Sequence, residues 1–233
     1  MAKKQGRKII LFLVEGASDC NSLDFIDKLN KDNSVKFYST SGDITSKKGI
    51  NSQNCIKEIN NHLNKFIKEK KLKKSDIIKI IHVLDTDGVY IPENKIIEDS
   101  SVSCFIYTTT GIIAPSKENV ISRNQSKREV LEKLLITSEI SSISYSMYYM
   151  SCNLEHVLHN ILENLTIEEK KELSNKFADS FYEREAEFLD FINDPAFKVS
   201  GDYKATWNFI KQNLNSVNRY SNLWLYFETY PKE

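Results

Sequence analysis

Two apolar segments of this chain each end in carboxylates, and this pattern constrains the fold more than any other feature of the sequence. Residues 9–14 are followed by Glu15, and residues 80–84 are followed by Asp85 and Asp87. A continuous apolar run of this length is typical of a strand that is buried on both faces of a parallel sheet. The carboxyl ends of parallel strands meet at one edge, where open α/β sheets place their active sites. We therefore predict that these carboxylates lie together.

The remaining sequence favours an α/β fold with a mostly parallel sheet, because strand-like and helix-like segments alternate. Thr166, followed by two glutamates, predicts the start of a helix, and the chain beyond it has mainly helical spacing. We predict an α/β catalytic core over residues 1–112 and a further α/β and helical extension over residues 113–233 that packs on it. The predicted strands are residues 8–14, 35–39, 77–84, 102–107 and 144–150, and the main predicted helices are residues 18–29, 50–72, 122–136 and 153–165.

Composition places the chain among ordinary globular proteins. It has 233 residues, of which 40% are hydrophobic, so a sizeable core can form. The apolar runs are far too short to cross a bilayer, and Glu15 interrupts the first of them, so neither a membrane partner nor a secretory segment is predicted. The four cysteines are widely spaced without a CxxC pair, which argues against a zinc knuckle or a disulfide framework. We expect a cytoplasmic protein.

Carboxylates gathered at one sheet edge repel one another, and a divalent cation offsets that repulsion. Oxygen ligands of this kind suit Mg²⁺ or Mn²⁺. Gly88 directly follows Asp87 and permits the backbone to turn, so that both aspartates can face one ion. Metal ions held by clustered acids neutralise a phosphate and activate water, which is the chemistry that phosphodiester cleavage needs.

The two motifs, Glu15-Gly16-x-x-Asp19 and Asp85-x-Asp87-Gly88, closely resemble the signature of the Toprim domain. That domain is shared by bacterial primases, topoisomerases and nucleases of the overcoming-lysogenization-defect (OLD) type, and the resemblance covers roughly residues 8–112. It implies that Glu15 is a general acid/base or a metal ligand, that Asp85 and Asp87 bind Mg²⁺, and that Asp19 is an additional ligand. It also implies a nuclease acting on DNA or RNA in phage defence or nucleic-acid processing.

Three further residues are candidates for the same site. Glu155 follows the predicted strand at residues 144–150 and would reach the acidic cluster if that strand joins the sheet in parallel, where it could hold a second metal ion. Alternatively, it is a solvent-facing acid in the first turn of a helix. Lys204 and Arg219 are candidates for contact with nucleic-acid phosphates, although surface positions are the simpler interpretation.

Two alternatives to the nuclease remain open from the sequence. Asp85-Thr86-Asp87-Gly88 also resembles the first motif of haloacid-dehalogenase-type phosphatases, in which the two aspartates would be nucleophile and acid/base, and residues 108–110 would supply a hydroxyl motif. That interpretation leaves Glu15 without a role. In the other alternative, the chain is a non-catalytic Toprim-like binding module of a larger assembly, which acts with a protein partner.

Overall fold

The two apolar segments form neighbouring strands in the middle of a five-stranded, mostly parallel sheet. The structure is a computed structural model that describes residues 8–29 and 35–229. Helices flank this sheet, and the C-terminal part of the chain is mainly helical. The α/β fold class predicted from the sequence is therefore confirmed.

The described residues contain eight strands and eight α-helices, joined by turns and short 3-10 segments. The strands are β1 (Lys8–Val14), β2 (Val35–Ser41), β3 (Ile77–Asp85), β4 (Ile96–Glu98), β5 (Ile106–Thr108), β6 (Gly111–Ala114), β7 (Glu139–Ile140) and β8 (Ile143–Met150). The helices are α1 (Ala17–Leu23), α2 (Cys55–Glu69), α3 (Lys117–Leu135), α4 (Leu154–His159), α5 (Ile167–Ser180), α6 (Glu185–Ile192), α7 (Tyr203–Ile210) and α8 (Trp224–Thr229).

The strand order of the main sheet is β2-β1-β3-β8-β7. Strands β2, β1, β3 and β8 are parallel, and β7 pairs antiparallel with β8 at one edge. The chain therefore moves outward from β1 to β2 and then crosses back to β3 on the other side of β1. This reversal is a topological switch point, and it opens a crevice at the carboxyl ends of β1 and β3.

Helices cover both faces of the sheet, which explains why β1 is apolar at successive positions. Leu11 packs in a core cluster with side chains of α2, α3 and α7. The next residue, Phe12, packs in a second cluster with side chains of α1, α4, α5, α6 and α8. Successive residues of a strand point to opposite faces, so a strand buried between two helical layers needs an uninterrupted apolar run.

The main sheet includes strands from both sides of residue 112. Strand β8 pairs with β3 in parallel along its length, with Ile81 opposite Ser146 and Asp85 opposite Met150. The segment at residues 144–150 thus fulfils the condition under which Glu155 would approach the acidic edge. In the described part of the chain, every helix is too short or too polar to span a membrane.

Several predicted helices have other bounds in the structure: the one expected at residues 18–29 is α-helical only as far as Leu23, and α3 begins at Lys117 instead of residue 122. Two predicted elements differ more strongly. The strand expected at residues 102–107 is shorter, and it lies in a separate three-stranded sheet of order β4-β6-β5. The helix expected at residues 153–165 ends at His159, because Asn160 adopts a left-handed conformation with φ of 57° that stops the helix. Apolar spacing alone indicated neither the second sheet nor this early helix end.

The turn after β3 leaves no space for a side chain at Gly88, and this can be tested by substitution. This residue has φ of +65°, and a β carbon placed on it would lie 2.5 Å from Cγ1 of Val217 and 2.9 Å from Cδ1 of Ile112. Gly49 also has positive φ, at +90°, but a β carbon there meets no described atom within 4 Å. We expect Gly88→Ala to lower the free energy of unfolding by about 1 to 3 kcal/mol more than Gly49→Ala, because overpacking adds to the backbone strain. Urea unfolding measures both variants, and equal losses would contradict this packing.

Candidate functional site

The acidic motifs meet at the switch point. Glu15 directly follows β1, and Asp85 is the last residue of the neighbouring strand β3. Glu155 lies in the first turn of α4, which follows β8, the strand on the other side of β3. Three adjacent parallel strands thus deliver acids to the same edge of the sheet.

The loops that follow β3 and β8 are joined by backbone hydrogen bonds, which fix the direction of the aspartate motif. The amide of Thr86 donates to the carbonyl of Met150 at 3.1 Å, and the amide of Asp87 donates to the carbonyl of Cys152 at 2.8 Å. Asp87 and Cys152 both have positive φ, at 48° and 59°. Such a backbone costs energy outside glycine and is found mainly where surrounding contacts impose it. Here the contacts hold the carboxylate of Asp87 at the sheet edge.

A buried lysine joins Glu15 to Asp87. The Nζ atom of Lys127, which comes from α3, lies 2.6 Å from Oδ2 of Asp87 and 3.7 Å from Oε1 of Glu15. Its side chain is only 1% exposed, and it also donates to the hydroxyl of Ser46 at 2.9 Å. Because both carboxylate oxygens lie close to the same nitrogen atom, Glu15 and Asp87 also lie close to each other.

The sequence analysis did not identify Lys127, although a signal was present. Lys127 lies on the face of α3 that carries the buried residues Val120, Asn124, Val130 and Leu134. A lysine on the apolar face of an amphipathic helix is rarely fully buried without a charged partner. Its helical position therefore indicated an ion pair with buried acids.

Asp85 is the centre of the cluster and lacks a neutralising partner. Burial raises the pKa of Asp85 well above its usual range, and the carboxylates of Glu15, Asp19, Asp87 and Glu155 raise it further. No hydrogen bond or ion pair links its carboxylate to any residue in the ranges 8–29 and 35–229. A buried carboxylate surrounded by other acids favours either a bound proton or a bound cation.

The pKa values of Glu15 and Asp87 move in opposite directions. Burial raises the pKa of Glu15 to about 7, against the opposing effects of Lys127 and of the Thr45 hydroxyl, which donates to this carboxylate. Burial also disfavours the ionised form of Asp87, but the charges of Lys127 and Arg123 outweigh it and hold the pKa below its usual value. One carboxylate is therefore placed to exchange a proton near neutral pH, while its neighbour stays ionised.

Asp19 and Glu155 occupy the other side of Asp85. The carboxylate of Asp19 accepts a hydrogen bond of 2.8 Å from the amide of Gly16 at the start of α1, and burial raises its pKa to about 6. Oε1 of Glu155 lies 2.9 Å from Nζ of Lys170, which comes from α5. The side chain of Glu155 is 7% exposed, so it is not the solvent-facing acid of the simpler interpretation.

The donor set at this edge suits a hard divalent cation, because the four acids around Asp85 offer carboxylate oxygens. In the geometry of the structure, however, the described residues contain no group of three or more Asp, Glu, His or Cys side chains that could hold a metal ion. A bound ion would therefore require side-chain movement. The side chain of Lys170 is 38% exposed, whereas that of Lys127 is 1% exposed, so separating Lys170 from its partner leaves less desolvation uncompensated. The side of the cluster formed by Asp85, Asp19 and Glu155 thus fits an ion better than the side held by Lys127.

The structure does not bring Lys204 or Arg219 to the acidic cluster. Lys204 is exposed in the first turn of α7. Arg219 donates from Nε to the carbonyl of Val157 at 2.9 Å, and its guanidinium lies 4.8 Å from the ring centre of Phe197. Within the described ranges, neither cation forms a hydrogen bond or an ion pair with Glu15, Asp19, Asp85, Asp87 or Glu155, so a phosphate-binding role for them stays a prediction.

Comparison with known proteins identifies no relative: no family model, no curated protein and no solved structure matches this chain. The likeness to Toprim domains therefore rests on the two motifs alone. What the site can do has to be argued from its own geometry.

Loss of the buried ammonium should destabilise the fold in a pH-dependent manner. We expect Lys127→Met to lower the free energy of unfolding by about 3 to 5 kcal/mol near pH 8, because Glu15 and Asp87 would be left buried without their cation. The loss should be smaller near pH 5, where Glu15 can take up a proton. Lys133→Met, at an exposed position of the same helix, should change stability by no more than about 0.5 kcal/mol. Chemical denaturation at both pH values measures this, and similar losses in the two variants would contradict the ion pairs.

The raised pKa of Glu15 gives a second prediction, with a defined sign. A carboxyl group whose pKa is higher in the folded than in the unfolded state stabilises the fold at acidic pH and loses that contribution as the pH rises through its folded pKa. Glu15→Gln mimics the protonated form, so its stability should match the parent near pH 5 and exceed it by about 1 to 3 kcal/mol near pH 8. Urea unfolding at the two pH values measures the difference. If the variant is less stable than the parent near pH 8, the ionised form of Glu15 stabilises the fold and the prediction is wrong.

Proposed function

We propose that this protein is a Mg²⁺-dependent nuclease of Toprim-like type that hydrolyses phosphodiester bonds of DNA or RNA. The observation that supports this most directly is the convergence of four acids (Glu15, Asp19, Asp87 and Glu155) around Asp85 at the switch point of a parallel sheet. Open α/β sheets place their ligands at such points. An excess of carboxylates over cations is the arrangement that a divalent ion stabilises.

In this proposal Asp85, Asp19 and Glu155 would hold the ion. When bound, Mg²⁺ would neutralise the phosphate and make a water molecule more acidic. Glu15 accepts a proton from the attacking water or donates one to the leaving oxygen, and its pKa of about 7 suits both tasks near neutral pH. Lys127 keeps Asp87 ionised and positions Glu15 through their shared contact.

The phosphatase interpretation fits the geometry less well. Thr108 and Thr110 were the candidates for its hydroxyl motif, but they lie at the end of β5, in the small second sheet. The Thr108 hydroxyl donates to the carbonyl of Gly111 at 3.1 Å and contacts the Thr110 hydroxyl at 3.2 Å. The phosphatase interpretation gives Glu15 no role, yet Lys127 contacts both Glu15 and Asp87. These observations favour the nuclease.

A second candidate, the non-catalytic binding module, is favoured by one observation. Lys127 already neutralises Glu15 and Asp87, and the described residues form no complete ligand cage. In such a module the lysine would replace the metal ion as the stabilising cation. Binding of Mn²⁺ separates the two candidates, since only the nuclease requires it.

Asp85→Asn tests the nuclease directly. The purified protein should cleave single-stranded or double-stranded DNA or RNA in Mg²⁺ or Mn²⁺ and lose that activity in a chelator. The variant should lose at least about a hundredfold in rate, because the metal supplies several kcal/mol of charge stabilisation. In the chelator its melting temperature should equal or exceed that of the parent, because Asn mimics the protonated carboxyl group that burial and the surrounding acids favour at Asp85.

Asp179→Asn, which changes an exposed aspartate of α5, is the matched control and should keep full activity. Calorimetric titration with Mn²⁺ should find binding in the parent and in this control, and weaker or absent binding in Asp85→Asn. Undiminished cleavage by Asp85→Asn would refute the catalytic assignment. If no Mn²⁺ binds and no substrate is cleaved, the non-catalytic module replaces the nuclease.

A further inference from the structure

A cleft of about 470 Å³ opens beside the acidic cluster, and its chemistry differs from that of the cluster. Glu155 and Lys170 line it together with Phe105, Tyr107 and Asn164. The volume is in the range of sites that enclose one small organic ligand. Because Glu155 belongs to both the cleft and the acidic cluster, a ligand in the cleft would be close to the acids.

An arginine fixes the aromatic wall of the cleft. The guanidinium of Arg123 lies 5.1 Å from the ring centre of Phe105 and 5.9 Å from that of Tyr107. The same group donates to the Tyr107 hydroxyl at 2.8 Å and to the backbone carbonyl of Asp87 at 2.9 Å. Arg123 thus connects the half-buried rings of Phe105 and Tyr107 to the loop that carries the aspartate motif. These contacts fix the position of the aromatic wall relative to that loop.

Two amide side chains supply hydrogen-bonding groups. Asn164 donates through its Nδ2 atom to the carbonyl of Phe105 at 2.9 Å, which leaves its Oδ1 atom as an acceptor. Asn153, which also lines the cleft, accepts from the amide of His156 at 2.8 Å through Oδ1, and its Nδ2 atom remains a donor. A ligand that offers a donor and an acceptor on a flat edge would satisfy both.

The charges of the cleft disfavour a phosphate as its occupant. Glu155 and Glu163 are acidic, and Lys170 is the cation that lines the cleft with them. Lys170 is already paired with Glu155 at 2.9 Å. A neutral, flat and polar group fits better than an anion, and a nucleobase has these three properties. Aromatic side chains that stack on bases and amides that bind base edges are the usual means by which proteins hold unpaired nucleotides.

We propose that this cleft holds one unpaired nucleobase of a single-stranded nucleic acid, adjacent to the phosphate that would lie at the acidic cluster. This inference rests on the proposed nuclease function and names its substrate class. In a duplex, pairing hides the base edge and stacking covers both faces, so a base can enter only when it is unpaired. The protein should therefore prefer single strands to duplexes of the same sequence.

Binding measured without catalysis tests this inference. The probe is a fluorescently labelled DNA oligonucleotide of about ten nucleotides, within the length range that single-strand-binding sites cover. Fluorescence anisotropy in a chelator gives its affinity as a single strand, as a duplex with its complement, and as a series with one abasic position moved along the strand. An RNA oligonucleotide of the same sequence is titrated in parallel.

The parent protein should bind the single strand more tightly than the duplex, and an abasic position at one place in the strand should weaken binding. Phe105→Leu keeps an apolar side chain but removes the stacking face, so it should bind about fivefold to a hundredfold more weakly and become insensitive to the abasic position. Ile97→Ala removes an exposed apolar side chain from β4 of the same small sheet and should behave as the parent.

The failure of this inference is distinguishable from failure of the proposed function. Equal binding of single strand and duplex, no abasic effect, no change in Phe105→Leu, or no binding of either oligonucleotide would each overturn the nucleobase subsite, and Asp85-dependent cleavage would then still support the nuclease. Conversely, an abasic effect that Phe105→Leu abolishes, in a protein whose cleavage does not depend on Asp85, would support the subsite and refute the catalytic assignment.

Discussion

The buried ammonium group of Lys127 is the interaction on which the acidic edge of this structure depends. Two strands end side by side, and both deliver carboxylates into a region with little solvent. Isolated buried charges are strongly unfavourable, and a hydrogen-bonded partner of opposite sign reduces that cost. Lys127 contacts Asp87 and Glu15 from α3, so this helix must lie against the sheet for the strand ends to be tolerated. The position of α3 is therefore fixed both by its packing on the sheet and by the need of the buried acids for a cation.

The C-terminal part of the chain is coupled to the same edge through its backbone. The carbonyl of Ser216 accepts hydrogen bonds from the Thr86 hydroxyl at 2.7 Å and from the amides of Gly88 and Cys152 at 3.0 and 3.1 Å. These contacts satisfy buried polar groups in the loops after β3 and β8, which the sheet itself leaves unpaired. The positive φ of Asp87 is maintained by this network, so residues far from the motifs in sequence determine where its carboxylate points.

Local patterns in the sequence were sufficient for the elements that carry the acids. The apolar runs before Glu15 and Asp85 predicted β1 and β3 correctly, because a strand buried on both faces is apolar at nearly every position, with His82 as the exception among residues 80–84 of β3. Thr166 was also predicted correctly as a helix start, since its reciprocal hydrogen bonds with Glu169 are local. The second sheet was not predicted, because short strands such as β5 pair with residues whose proximity depends on tertiary structure. Lys170 was missed for the same reason, because it reaches Glu155 only after α5 has packed. Lys127 was missed although its position on the buried face of α3 indicated a charged partner.

The two lysines differ in a way that bears on how the site responds to a metal ion. Lys127 is enclosed and bonded to Ser46, so releasing it would expose buried acids without compensation. Lys170 is partly exposed, so its ammonium can regain water when it separates from Glu155. An incoming cation near Asp85 would then exchange with Lys170 and would also displace protons from carboxyl groups whose pKa values burial has raised, among them Asp19 at about 6. If the proposed function holds, ion binding at this edge would be coupled to proton release and to the separation of Lys170, a residue that also lines the neighbouring cleft, from Glu155.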